Sequence, residues 1–189
     1  PEVIYHFPTQ DSLETNVSAP KDVNALINEV VGDDYIALTQ MPDYQQDPRW
    51  QTEEGKKELI ENEGLRFLRY YQQEAIQSLQ QAISKGKNRF LFEMATGTGK
   101  TLTSAAIIKL FIKTKNASRV LFLVDRLELE DQADKNFRQY LSPDITTVVY
   151  KHNKNSWSRA EVVVTTIQSI MHDNKFEDLF SPTDFDLII

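Results

Sequence analysis

Nine residues near the middle of the chain, Glu93-Met94-Ala95-Thr96-Gly97-Thr98-Gly99-Lys100-Thr101, restrict its fold more than any others. They stand between a short apolar run, Arg89 to Glu93, and a mostly apolar helical stretch from Thr101 to about Lys113. A Gly-Lys-Thr ending in a strand–loop–helix setting is the pattern of a phosphate-binding loop. Gly97 and Gly99 have no Cβ, so the backbone there can curl and aim successive N–H groups inward at phosphate oxygens. The helix that follows adds its positive dipole end to the same spot. Lys100 is placed to reach the β- and γ-phosphates of a nucleotide as a point charge, and the Thr101 hydroxyl to ligate Mg²⁺. Lys100 and Thr101 are therefore the candidate catalytic pair, with Thr96, Gly97, Thr98 and Gly99 completing the candidate phosphate cradle. A plain Gly/Thr turn entering a helix is the competing reading, and the independent match of the flanking elements weighs against it.

Around that loop the texture is alternating helix and strand. Tyr71 to about Ser84 is helical, with Ala75, Ile76, Leu79, Ala82 and Ile83 on one side and Gly86 closing it. Residues 89–93 read as a buried strand, and Arg119 to Asp125 as a second. Leu127 to about Tyr140 is a third helix, residues 146–150 and 161–165 are β-branched strands, Ile167 to His172 starts another helix, and residues 186–189 read as a strand cut short. Strands apolar throughout and separated by helices predict a parallel sheet covered on both faces.

The first 63 residues are different material. They hold 4 basic and 14 acidic side chains, against 17 and 14 in residues 64–189. They read as an acidic linker with local order: a short amphipathic helix on Val23, Leu26, Ile27 and Val30, a turn-rich stretch from Met41 to Pro48, and a polar helix from Thr52 to about Asn62. Apolar residues are too few there to predict an independent core. The division expected is 1–63 linker and 64–189 nucleotide-binding lobe. The net charge of −7 argues against nucleic acid as a partner for the whole chain, but the second part, at +3, is compatible with a polyanion.

With no cysteine, a disulfide framework is excluded, which fits a reducing, cytoplasmic setting. The longest apolar runs, 105–108 and 120–124, are far too short to span a bilayer, so no membrane association is expected. No secretory signal is legible in Pro1 to Pro8. His6, His152 and His172 are scattered without metal-ligand spacing. Trp157, near Lys151, Lys154 and Arg159, suits either a base-stacking role or a solvated basic loop.

The form Ala95-Thr96-Gly97-Thr98-Gly99-Lys100-Thr101, with Met94 where the general pattern has Gly, resembles the superfamily 2 helicase and translocase version of the loop. Upstream, Leu68-Arg69-Tyr70-Tyr71-Gln72 is similar to the Arg-x-Tyr-Gln stretch that opens those motor domains. The resemblance implies that Gln72 reads adenine with Arg69 beside it; on its own Gln72 reads as a surface helix residue. Val120 to Gln132, a strand ending in Asp125-Arg126, is similar to motif Ia, and Val162 to Ile170 to motif Ib. By that resemblance Arg126, Thr165, Thr166 and Gln168 contact a DNA backbone, setting position without reading sequence. On residues alone Arg126 equally suits an ion pair with Asp125 or Glu130, and Thr165 a strand interior.

Taken together, these segments resemble the restriction (R) subunit of type I restriction enzymes, and Phe7-Pro8-Thr9 with Leu13 is similar to the start of that family's motor. The resemblance implies a RecA-like three-layer α/β sandwich with a mostly parallel sheet. It implies ATP with Mg²⁺ as cofactors, ATP-driven translocation of double-stranded DNA before cleavage, and modification and specificity subunits as partners. The family's acidic Asp-Glu-x-His motif follows an apolar strand such as 186–189, and no such residues precede Ile189. Asp184 and Asp186 lie on the wrong side of that strand. The chain thus reads as a fragment competent to bind nucleotide, with hydrolysis belonging to the intact polypeptide. Another superfamily 2 helicase, or a non-catalytic nucleotide-binding module, is the alternative.

Overall fold

Two five-residue runs without a single charge, Val120–Val124 (β1) and Val162–Thr166 (β3), form the middle of the sheet. They pair in parallel from Val120 opposite Val162 to Val124 opposite Thr166. Thr147–Val149 (β2) pairs with the far side of β3, and Leu187–Ile188 (β4) with the far side of β1, giving the order β2-β3-β1-β4, all parallel. In this computed structural model the residues described are 21–150, 157–171, 180–181 and 183–189. The three histidines and the Phe7–Leu13 segment lie outside them.

The helices are Val23–Asn28 (α1), Ala37–Gln40 (α2), Glu53–Glu61 (α3), Tyr70–Ser84 (α4), Lys100–Lys113 (α5), Leu127–Leu141 (α6) and Ile167–Met171 (α7), all but the four-residue α2 where the sequence places them. Strand periodicity sorts the two faces of the sheet. Val120, Val162 and Val164 join Ile76, Leu79, Ala105, Ile108, Leu110, Phe137 and Leu141 of α4, α5 and α6 in the main core. Leu121 and Val163 point the other way, onto Tyr150 and the partly buried Trp157, Ile170, Phe180 and Phe185. This is a RecA-like α/β fold. Among the described residues no helix is long and apolar enough to cross a membrane.

Two features differ from expectation. Residues 89–93 are not a strand: Leu91 is 95% exposed, and 88–94 form no hydrogen bond with the described residues. A strand needs a ladder partner for its backbone groups, and none lies alongside among the described residues. The outer edge of β4 and this segment instead face one another across a groove of about 840 Å³, lined by Phe90, Phe92, Met94, Leu187 and Ile188 among others.

The acidic stretch also does more than connect. Leu26, Val31, Tyr35 and Ile36 are buried in the main core. The Gln80 amide, itself buried on α4, donates to Leu26 O (2.8 Å) and Glu29 O (2.9 Å). A second apolar cluster, Ala37, Tyr44, Leu59 and Leu65 with Trp50 and Phe67 against it, spans residues 37–67. Aromatic contacts compensate for the scarcity of aliphatic residues: Tyr44 meets Trp50 edge-on at 4.7 Å between centroids, and Trp50 stacks on Phe67 at 5.3 Å.

Candidate nucleotide site and adjoining loops

The loop from Ala95 to Gly99 turns through two left-handed residues, Gly97 at φ 78° and Gly99 at φ 83°. A Cβ at Gly97 would meet nothing within 4 Å, so its backbone angle alone calls for glycine. At Gly99 space and angle both do, because a Cβ would come within 2.6 Å of Gln72 Nε2. Gly99 is also the N-cap of α5, so the free N–H groups of a 14-residue helix open where the loop ends. Thr98 tightens the bend by donating its hydroxyl to Ala95 O at 2.7 Å.

Lys100 is exposed, and its ammonium rests on Ala95 O at 3.2 Å. That single neutral contact makes it available to an anion in the same hollow. Thr101 is half-buried on the first turn, and its hydroxyl makes no hydrogen bond among the described residues. Gly97, Gly99, Lys100 and Thr101 thus suit a polyphosphate with a small divalent cation. Among the described residues no cluster of three carboxylate or imidazole side chains could hold a metal by itself, and Mg²⁺ bound through phosphate oxygens, water and one hydroxyl needs none.

Arg69 and Gln72 meet at the start of α4. Arg69 is exposed and is the helix N-cap. Gln72 is 1% exposed, and its Oε1 accepts from Arg69 N at 2.8 Å, the N3 half of a capping box. Its Nε2 donates to Thr98 O and Gly99 O, both at 3.1 Å. Gln72 is therefore a buried link between α4 and the loop rather than the surface residue that its sequence context alone suggests. Tyr71 reinforces the link by donating its hydroxyl to Thr98 O at 2.9 Å while accepting from Arg69 at 3.0 Å. Sequence reasoning passed over Tyr71; its place beside Gln72 on the first turn was the available signal.

The other candidates collect past the C-terminal ends of β1 and β3. Arg126 is exposed and pairs only loosely with Asp125, at 3.7 Å with both side chains 74% exposed. Glu130, the other partner considered for Arg126, accepts from Thr166 N at 2.8 Å instead. Thr165 and Thr166 are fully buried: the Thr165 hydroxyl has no partner among the described residues, and the Thr166 hydroxyl accepts from Ser169 N at 3.0 Å to start α7. Gln168 is exposed and donates to Asp125 O at 3.1 Å, so the two loops touch. Of these four residues, Arg126 and Gln168 present side chains to solvent.

Trp157 is partly buried rather than free in solvent, and Lys151 and Lys154 lie outside the described residues. It packs on Phe180 at 4.8 Å and Phe185 at 5.9 Å between ring centroids, with the Arg119 guanidinium 4.7 Å from its centroid. Burial lowers the pKa of that guanidinium from its ordinary value, with Asp184 and Asp186 opposing the shift. Asp186 also accepts from Ser118 N at 2.9 Å, which holds it at the N-terminal end of β4.

Residues 66–189 match the family described as "Type III restriction enzyme, res subunit". The chain is similar to the type I restriction enzyme EcoAI endonuclease subunit of Escherichia coli, 39% identical over 121 residues, covering 64% of this chain and 15% of that one. It is 48% identical over 66 residues to the EcoKI endonuclease subunit of E. coli K12, covering 35% of this chain and 6% of that one. A protein named as a mitochondrial ATP-dependent helicase, irc3, of Schizosaccharomyces pombe is 32% identical over 123 residues, 65% of this chain and 20% of the relative. The chain thus spans a fifth or less of the length of each.

Proposed function

As a member of the type III restriction enzyme res-subunit family, this chain is, we propose, the ATP-binding lobe of a DNA translocase that works within a restriction endonuclease. The observation that carries the reading is the loop itself. Two left-handed glycines and the start of a long helix surround a lysine bound to nothing stronger than a carbonyl. Backbone N–H groups and Lys100 would hold the β- and γ-phosphates in this reading, Thr101 would take Mg²⁺, and the exposed Arg69 would flank the adenine, while Gln72, its amide spent on the loop carbonyls, acts by holding the loop rather than by touching the base. A bound polyphosphate draws the Lys100 ammonium off Ala95 O, because a charge-assisted contact is stronger than one to a neutral carbonyl.

ATP supplies the free energy through phosphoryl transfer, and this lobe contributes binding and orientation. In the intact protein, closure on nucleotide moves the loops after β1 and β3 along duplex DNA. Arg126 and Gln168 touch its phosphates, and Thr165 and Thr166 shape the loop from within. The endonuclease-subunit names of the relatives support a complex with modification and specificity subunits.

Binding of a fluorescent ATP analogue, with and without Mg²⁺, tests the reading. Wild type is expected to bind and Lys100→Ala to bind at least tenfold more weakly; no binding by wild type, or equal binding by both, rejects it. The likeness to the irc3-named helicase supports a second reading, a motor that separates strands. In the full-length protein, unwinding of a labelled duplex favours that reading, and displacement of a triplex strand without unwinding favours translocation.

A further inference from the structure

Among the described residues Glu130 is the one acidic side chain wholly withdrawn from solvent, at 2% exposure. A carboxylate is costly to bury unless hydrogen bonds replace its water. Glu128, two residues earlier on α6, shows that the same first turn can leave a glutamate in solvent. Glu130 instead reaches across to the last residue of β3 and accepts from Thr166 N at 2.8 Å.

That bond closes a circuit. Thr166 starts α7 through its hydroxyl, α7 carries Gln168, and Gln168 donates to the carbonyl of Asp125, the neighbour of Arg126. Arg126 in turn is the N-cap of α6, the helix that carries Glu130. Two loops from different strands, which need not keep any fixed spacing, are thereby tied at two points. We propose that Glu130 is a positioning residue. It locks the loop after β3 against the loop after β1, so that Arg126 and Gln168 reach successive phosphates of one DNA strand at a fixed separation. The proposal rests on the DNA-binding reading of those loops given above.

The test compares wild type with Glu130→Met, which keeps the buried volume without an acceptor, and Glu130→Gln, which keeps the Oε1 acceptor. Binding of the 189-residue chain to a fluorescein-labelled 30-base-pair duplex is followed by anisotropy at several salt concentrations. Glu130→Met is expected to lose roughly tenfold in DNA affinity with a shallower salt dependence, since a phosphate contact is lost. Its Mg²⁺–ATP affinity is expected to match wild type, a readout that general loss of structure would not spare. Glu130→Gln should recover to within about threefold of wild type.

DNA binding by Glu130→Met equal to wild type overturns the proposal. So does a Glu130→Gln variant as weak as Glu130→Met, because charge rather than the hydrogen bond would then matter. A Glu130→Met chain that does not bind nucleotide, beside a normal Glu130→Gln, assigns Glu130 to the fold alone and also overturns it. If wild type fails to bind duplex, the reading beneath falls; hydrogen exchange at Thr166 N–H, expected fast in Glu130→Met and slow in Glu130→Gln, then still decides whether the loops are locked.

Discussion

The side-chain amide of Gln72 donates to the carbonyls of Thr98 and Gly99, 3.1 Å from each, and so fastens the first turn of α4 to the bend that precedes α5. The loop's shape therefore depends on a buried residue 27 positions upstream. Replacing Gln72 by Glu turns the donor into a third oxygen facing two carbonyls. That change is expected to cost about 1–3 kcal/mol and to weaken ATP-analogue binding. Thermal unfolding without nucleotide, read beside the binding curve, checks both effects; an unchanged melting temperature would rule out the fastening role.

The two loop glycines are expected to differ. Gly99→Ala suffers both a left-handed backbone and a contact at 2.6 Å with the held Gln72 amide. Gly97→Ala suffers only the backbone conformation, worth about 1–2 kcal/mol. Gly99→Ala should be the less stable of the two in urea unfolding; the reverse order would mean that Gln72 yields freely.

Lys100 contributes little to the apo fold, since it is exposed and makes one contact to a neutral carbonyl. Lys100→Ala should melt within about 0.5 kcal/mol of wild type while losing the stabilisation that Mg²⁺–ATP confers. Melting curves recorded with and without nucleotide separate the two. A variant still stabilised by nucleotide as strongly as wild type contradicts the assignment.

Residues 21–36 belong to the folded unit. Leu26 is 1% exposed in the main core, so Leu26→Ala should lose about 2–5 kcal/mol of stability in one transition shared by the whole lobe. A detached linker would leave the unfolding of α4 to α6 unchanged, which tryptophan-independent circular dichroism at 222 nm would reveal.

Lys109 of α5 donates to Tyr35 O and lies over the Tyr35 ring at 4.2 Å. Burial, with help from nearby Lys113, lowers its pKa to about 8 from a model-peptide value of 10.5. The unfolded chain then holds more protons than the folded one between those values, so stability rises as pH climbs from about 8 toward 10.5. Burial raises the Tyr35 phenol above its ordinary 10, with Glu29 adding to the shift. Its ionisation in the unfolded chain therefore removes stability above pH 10. Urea midpoints should rise from pH 8, turn over near pH 10, and lose the rise in Lys109→Met.

Local chemistry made much of this protein legible in advance. The strands 120–124 and 162–166, the helix after Lys100 and the bend at Gly97 and Gly99 all follow from short-range patterns: uninterrupted β-branched residues, apolar spacing on one helix face, and the need for a missing Cβ. Tertiary structure decided the rest. Residues 89–93 have the composition of a strand, but a strand is a property of pairs, and no ladder partner lies beside them among the described residues. Residues 23–36 look too polar to pack, yet a few apolar side chains suffice once α4 and α5 supply the opposing surface. Gln72 and Glu130 look like exposed helix residues because their partners, Thr98 and Thr166, lie 26 and 36 positions away, a separation that no periodicity records. Sequence alone determined which segments could be helix, strand or phosphate loop, since those depend on neighbours in the chain. Only the folded arrangement decided which polar groups were left to serve a ligand and which were spent holding the loops, since that depends on neighbours in space.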